Sequence, residues 1–518
     1  MKLIPQFAAL ACLLMPTVIR AEDGAVDIQL SVYPSEISLT DSRDTQQLIV
    51  LAKRPDGSTT DITQEAEIVI SDSDIATYQS EDRRIRPVNN GTTQLTISHH
   101  EQHLTVAVKV SNYEAIPELS FRTDVLAVLT KAGCNSGKCH GSASGKDGFR
   151  LSLYGYDPAG DHYRLTREIP GRRTNVASPE NCLLINKALG NVDHTGGGLI
   201  VEDTAEHATL IAWLKSGAPA DPPGLPVPTG IRVFPEEVVF SNRGETQPVI
   251  VTASFSDGSD RDVTDRAVFI SNNDAAASVT KDGIVSSNGP GTAFIMARFD
   301  QFTEGSAIIV RPGTAFSAPE FPTSNYIDEL VAARWNALHL LPSDLCSDEV
   351  FLRRVYLDLT GLLPSSEERT SFLADNAADK RATLVDRLLE RPEFNDIWVM
   401  KWAEMLQIRT ANGVSPKGLL LYDRWLRERV HSGITIDQIV QELIPASGGT
   451  FENPATSYYQ TETTPQLLAE NMAQAFLGTR IQCAQCHNHP FDRWTMDDYY
   501  GFAAFFSQVG YKQDQDPR

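Results

Sequence analysis

Along residues 249–255 the side chains alternate. Val249, Val251, Ala253 and Phe255 fall on one side of the chain, with Ile250, Thr252 and Ser254 on the other. A period of two belongs to a β-strand with one face packed inward, and Leu48, Val50 and Ala52 set the same period earlier in the chain. Asp56-Gly57 and Asp257-Gly258 mark hairpin tips, since these residue types accept the backbone of a tight turn. From Ser324 onward the period becomes helical. Leu384, Val385, Leu388 and Leu389 share a face, as do Leu467, Leu468, Met472, Ala475 and Phe476 behind a Thr464-Pro465 start signal. Two shorter helical faces lie between the alternating segments. One is Phe121, Val125, Leu126 and Leu129, leading into Cys134; the other is Leu210, Ile211 and Leu214 behind Thr204, an N-cap. Pro219, Pro222, Pro223, Pro226 and Pro228 then form a stiff linker. The polar end, Gln513 to Arg518, is expected to fray.

The alternating segments are two copies of one unit. Val32-Tyr33-Pro34 matches Val233-Phe234-Pro235, and Asp56-Gly57-Ser58 through Asp61-Ile62-Thr63 matches Asp257-Gly258-Ser259 through Asp262-Val263-Thr264. Ser71-Asp72-Ser73-Asp74 then matches Ser271-Asn272-Asn273-Asp274 after a one-residue slip. Each copy reads as a small β-sandwich and resembles the bacterial Ig-like domains of group two, over residues 25–111 and 229–312. The resemblance implies a spacer or adhesion module in an exported protein.

A chain of 518 residues holds about three to five separate cores. Its 45 Lys and Arg against 67 Asp and Glu leave a net charge of −22, which repels phosphate backbones and anionic headgroups. Nucleic acid and peripheral membrane binding are thereby disfavoured as functions. Lys2 followed by an apolar run to Val18 and Ala21 reads as a signal peptide over residues 1–21; the competing reading is a lipoprotein signal with Cys12 acylated. No later apolar run is long enough for an integral membrane span, so a periplasmic or extracellular location is expected. Removing the leader leaves Cys134, Cys139, Cys182, Cys346, Cys483 and Cys486.

Four of these six form pairs followed directly by His. Cys483-Ala484-Gln485-Cys486-His487 has the C-x-x-C-H spacing of c-type haem attachment. Thiols one helical turn apart can add to the two vinyl groups of one porphyrin edge, and the adjacent imidazole becomes an iron ligand. Competing readings are a redox dithiol, a structural disulfide, and a zinc ion held by Cys483, Cys486, His487 and His489. The second candidate, Cys134-Asn135-Ser136-Gly137-Lys138-Cys139-His140, has two extra residues between its thiols. Asn135 and Gly137 suit the positive φ that such a bulge demands, and a Cys134–Cys139 disulfide competes.

At this point the residues carry a family resemblance. Cys134 to Asp157, with Gly148-Phe149-Arg150-Leu151-Ser152-Leu153-Tyr154-Gly155-Tyr156-Asp157, followed by Asp193-His194-Thr195-Gly196-Gly197-Gly198 and Trp213 to Pro219, resembles the planctomycete-type cytochrome c module. Val355-Tyr356-Leu357-Asp358-Leu359-Thr360-Gly361-Leu362-Leu363-Pro364 and the stretch from Cys483 to Trp494 resemble the domain of unknown function that accompanies it. The implied protein is multidomain: two all-β Ig-like sandwiches, an all-α cytochrome c-like module over residues 115–222, and an all-α domain over 324–518. Its expected function is one-electron transfer at one or two covalently bound haem c groups, through a redox partner the sequence does not name. The competing functions are a redox enzyme acting on extracellular carbohydrate and a non-redox surface binding protein, with cell-surface or polysaccharide contact through the Ig-like repeats.

Ligands opposite the motif histidines follow from composition. Residues 115–222 contain no Met, so His162, His194 and His207 are the candidates for the first site. His194 is favoured as a metal ligand beside His140, because Gly196 to Gly198 let backbone approach a flat ring. His207 shares a face with Leu210, Ile211 and Leu214 and reads as a packed core residue. At the second site, with His487 as the metal ligand, Met472 reads as core, Met496 is near in sequence, and His489 is too close to reach the far side; the opposite ligand stays unassigned. Cys182 and Cys346 are free or paired together. No Ser-His-Asp order, phosphate-cradling Gly loop or HExxH sequence is present, and Asp497-Asp498 reads as a solvated acid pair, so no catalytic residue is assigned.

Overall fold

Each alternating segment folds into paired sheets. In this computed structural model, residues 28–115, 118–410, 414–489, 492–510 and 512 are described. The leader expected over residues 1–21, Cys12 within it, and the polar end expected to fray lie outside these residues. In the first repeat, Gln29–Tyr33, Ile49–Lys53 and Thr59–Asp61 form one sheet. Glu36–Leu39, Gln102–Val110, Gly91–His99 and Glu67–Ile70 form the other, with Glu36–Leu39 parallel to Gln102–Val110. A third, small sheet joins Gln46–Gln47, Arg84–Pro87 and Ala76–Gln79. The second repeat repeats this topology, with Pro228–Phe234, Ile250–Phe255 and Asp260–Asp262 in its first sheet and Glu237–Phe240, Phe302–Val310, Gly291–Phe299 and Val268–Ser271 in its second. The inward residues of the alternation, Val50 and Leu48 in one copy and Val251, Ala253 and Val249 in the other, are buried between the sheets.

Ile49, Leu51 and Ile250 should face water by the same alternation, yet they are buried. They pack together with Tyr33 and Phe234 in a cluster that lies between the two repeats. Tyr33 and Phe234 occupy matching places in the two copies, and their rings stack on each other with centroids 4.1 Å apart. Contact is reciprocal elsewhere: the segment Gln46–Gln47 of the first copy meets Asp260–Asp262 of the second, while Thr246–Pro248 of the second meets Thr59–Asp61 of the first. Matching residues that touch across an interface are the signature of two-fold association, realised here within one chain. Gln47 N–H donates to Asp262 Oδ2 (2.7 Å), the Tyr33 hydroxyl donates to Thr252 Oγ1 (3.0 Å), and Arg84 pairs with Asp265 (2.5 Å).

Between the copies, a helical insert closes on itself. Asp221, at its end, accepts hydrogen bonds from Ser120 Oγ (3.0 Å) and from the backbone N–H groups of Phe121 (2.5 Å) and Arg122 (3.1 Å), at its beginning. Trp213, fully buried, donates from Nε1 to the Pro219 carbonyl (2.9 Å). Phe121, Val125, Leu126, Leu129, Leu210 and Leu214 make the core, as their spacing requires. The helices are short, the longest being Ala205–Lys215, capped by Thr204 as expected. The structure shows a helical unit here, but a cytochrome c-like fold is not shown. The insert is clamped to the second sandwich: Arg122 makes a two-pronged pair with Asp300 (2.8 and 2.6 Å), Arg266 pairs with Asp124 (2.7 Å), and the Arg298 guanidinium lies 4.6 Å from the Tyr154 ring centroid.

The C-terminal region is helical, from Tyr326–Leu338 to Met496–Ala504. Leu384 and Leu388 join Leu352, Tyr356 and Phe372 in one core, while Leu468 and Met472 join Val399, Tyr422, Trp425 and Leu426 in another. The region meets the sandwiches at Arg311, which donates to the Ala337 and Asp56 carbonyls (3.1 and 2.7 Å). Among the described residues no helix is long and apolar enough to cross a membrane.

Candidate functional site

The helix Leu126–Lys131 delivers the first Cys–His loop. Cys134 N–H caps it by donating to the Leu129 carbonyl (2.9 Å), and the chain then folds back so that His140 N–H donates to the Cys134 carbonyl (3.0 Å). The positive φ of this turn falls on Gly133, before the loop, rather than on Asn135 or Gly137. Closeness instead constrains Gly141, where a Cβ would lie 1.9 Å from the Asn135 carbonyl oxygen. Burial pushes the Cys134 thiol up to about 12, with the nearby Cys139 adding to the shift. Neither thiol is in a disulfide.

His140 is held from behind. Its Nδ1 lies 3.0 Å from the Phe149 carbonyl, and the Phe149 ring is in turn covered by the Arg173 guanidinium at 4.4 Å. Burial lowers the His140 pKa, partly opposed by the Phe149 carbonyl, with His194 lowering it further. The His194 ring lies parallel to it, at an interplanar angle of 8° and a centroid separation of 6.2 Å. His194 Nδ1 also meets a carbonyl, that of Gly197 at 3.0 Å, and a Cβ on Gly196 would come within 3.1 Å of the ring. Gly196 thus leaves room for the His194 imidazole itself. His162 is taken up elsewhere, with Nε2 3.0 Å from the Ala218 carbonyl and its ring against Phe121. His207 is half-buried rather than packed away, and its Nδ1 accepts from Asp203 N–H (3.3 Å).

The second loop follows the helix Pro465–Phe476, which Thr464 caps and which ends at Phe476, before Arg480. Ile481 and Ala484 are buried on Ala473 and Tyr499, which turns Cys483 and Cys486 outward as exposed, unpaired thiols. Tyr500 donates to the Gln485 carbonyl (3.1 Å), and Met496 N–H donates to Asn488 Oδ1 (3.1 Å). His487 Nδ1 sits 2.7 Å from the Asn488 carbonyl. Its ring lies 6.4 Å from that of Tyr156, so the tertiary fold brings the second Cys–His loop against the insert that carries the first. Nothing in the spacing of either motif announced that contact. Burial lowers the pKa of His489. Met472 is core, as its neighbours predicted. Cys182 is buried in the insert core, and neither it nor Cys346 is in a disulfide.

These positions correct the functional expectation. Among the described residues no group of three or more His, Cys, Asp or Glu side chains gathers where a metal ion could be held. The set Cys483, Cys486, His487 and His489 does not converge as zinc would require. Cys134, Cys139, His140 and His194 supply two imidazoles and two thiols without closing such a group either. Electron transfer at haem iron, with the cytochrome c identity it carried, is therefore without support among the described residues. The physical reason is that motif spacing controls residues on one turn, whereas ligands from other elements must be delivered by the fold.

No curated protein matches the chain at a significant level. Among solved structures, domains 5–6 of the S-layer protein SbsC align over 56% of this chain and 100% of their own, with 11% identity and a TM-score of 0.24. The Yersinia pseudotuberculosis adhesin InvE aligns over 55% of this chain and 58% of its own, with 9% identity and a TM-score of 0.12. A longer SbsC structure, rSbsC(31-844), is spanned over 29% of its length. Residues 326–511, the helical C-terminal region, match the family described as PSCyt2, a protein of unknown function (DUF1549).

Proposed function

We propose that the chain is an exported, non-redox surface-binding protein in which the paired Ig-like sandwiches are a rigid mount for the helical insert and the C-terminal helical region. The observation that carries this reading is the reciprocal packing of the two sandwiches, Tyr33 on Phe234 with Ile49, Leu51 and Ile250 buried around them. Tandem sandwiches joined end to end extend a protein's reach. Packed side by side they instead fix the orientation of what they carry, and the Arg122–Asp300 clamp holds the insert on that base. In this reading Cys134 with Cys139, and Cys483 with Cys486, staple their loops as disulfides once the chain meets an oxidising compartment.

Binding of the fluorescently labelled mature chain to intact cells of the producing species tests the proposal. Saturable binding, displaced by unlabelled chain, is expected, and thiol titration after denaturation should find only Cys182 and Cys346 reactive. Absence of saturable binding would overturn the surface role. A mature protein with a visible absorption band that survives denaturing electrophoresis would overturn the non-redox part and return the Cys–His loops to a bound chromophore.

A further inference from the structure

One open groove lies in the insert. It has a volume of about 700 Å³ and is lined by Arg172, Asn175, Asn181 and Asn186, with Ile169 and Val192 at its rim. Volumes of this order accept a ligand of two to three sugar units. Arg172 is exposed, and among the described residues its guanidinium has no hydrogen-bond or ion-pair partner. A planar guanidinium with its donors open is suited to a carboxylate, which it can grip with two parallel bonds.

The carboxamides of Asn175 and Asn181 are each half used. Asn175 accepts from the Ala177 and Ser178 N–H groups (3.1 and 3.2 Å), so its NH₂ remains to donate. Asn181 donates to Ser178 Oγ (2.9 Å), which leaves its oxygen able to accept, whereas Asn186 donates to the Cys182 carbonyl (3.2 Å) and accepts from Asn191 Nδ2 (3.5 Å). Donors and acceptors interleaved in this way complement hydroxyl groups, each of which does both. Ile169 and Val192, 45% and 40% exposed, offer apolar contact to the C–H face of a sugar ring.

The insert is close to charge balance in a strongly acidic chain. The chain carries 45 basic against 67 acidic residues, whereas residues 118–222 carry 11 against 12. Beside the groove, Glu168 pairs with Arg173 (2.8 Å) and Glu180 pairs with Lys215 (2.9 Å). We infer that this groove binds an acidic, polyhydroxylated ligand, a uronate-containing segment of a surface polysaccharide, with Arg172 on the carboxylate and the Asn175 and Asn181 side chains on hydroxyls. The inference deepens the surface-binding reading and rests on it.

Calorimetric titration of the full mature chain with a hexamer of galacturonic acid at pH 7 and low salt tests it, with a neutral glucose hexamer as comparison. Binding of the acidic hexamer alone is expected. Arg172→Gln, at an exposed position, should weaken it by at least tenfold, and Asn181→Ala by several-fold, with the thermal transition unmoved. Equal binding of both hexamers, or an affinity unchanged in Arg172→Gln, overturns the groove assignment. If neither hexamer binds while the chain still binds cells saturably, the groove assignment falls and the surface reading stands; loss of both removes both.

Discussion

His140 shows what burial does to a single residue. In an unfolded chain its imidazole gains a proton near pH 6.5. In the folded insert, burial lowers that pKa, so the folded state binds fewer protons as the pH falls. Stability from the buried neutral ring is therefore complete above about pH 6.5 and is lost as the pH drops through the folded value. Chemical denaturation of the insert followed at Trp213 should show stability falling from pH 7 to pH 5, with a shallower fall in His140→Asn. An identical slope in the variant would mean that another group governs it. The Phe149 carbonyl and the parallel His194 ring lie nine and fifty-four positions away along the sequence, respectively. Which residues could titrate was legible in the sequence; the environment that shifts them was not.

At the scale of elements, much of the secondary structure follows from local chemistry. Thr204 and Thr464 cap their helices as their positions predict, and the alternation around Val251 becomes a strand. Asp221 is different. It caps a helix that starts a hundred residues earlier, so no local window could reveal it. Asp221→Ala should cost about 1–2 kcal/mol, the range of a lost N-cap. Hydrogen exchange should speed up in a peptide covering residues 120–131 and stay unchanged in the sandwiches. Protection equal to that of the parent chain would show that Trp213 and the core close the insert without it. The Cys–His loops divide in the same way. Their positions were plain from sequence, while the displacement of positive φ to Gly133 and the exposure of Cys483 and Cys486 depend on what packs beneath each turn.

For the whole molecule the deciding contact is sandwich on sandwich. Tyr33→Ala and Phe234→Ala each remove one ring of the stacked pair, so a double-mutant cycle should give a coupling of about 0.5–1.5 kcal/mol. Small-angle scattering of the double variant should show a larger radius of gyration as the repeats separate. Additive effects with an unchanged radius would mean that Gln47–Asp262, Arg84–Asp265 and the Ile49–Ile250 contacts hold the pair alone. The sequence by itself determined the repeat, the strand faces, the helical periods and the local caps Thr204 and Thr464, because each is written in the residues that form it. It could not determine that Ile49 and Ile250 are covered, that Arg122 finds Asp300, or that His487 lies by Tyr156. Those contacts join residues tens to hundreds of positions apart, and only the tertiary structure decides them, since burial and pairing at such distances depend on how whole units pack.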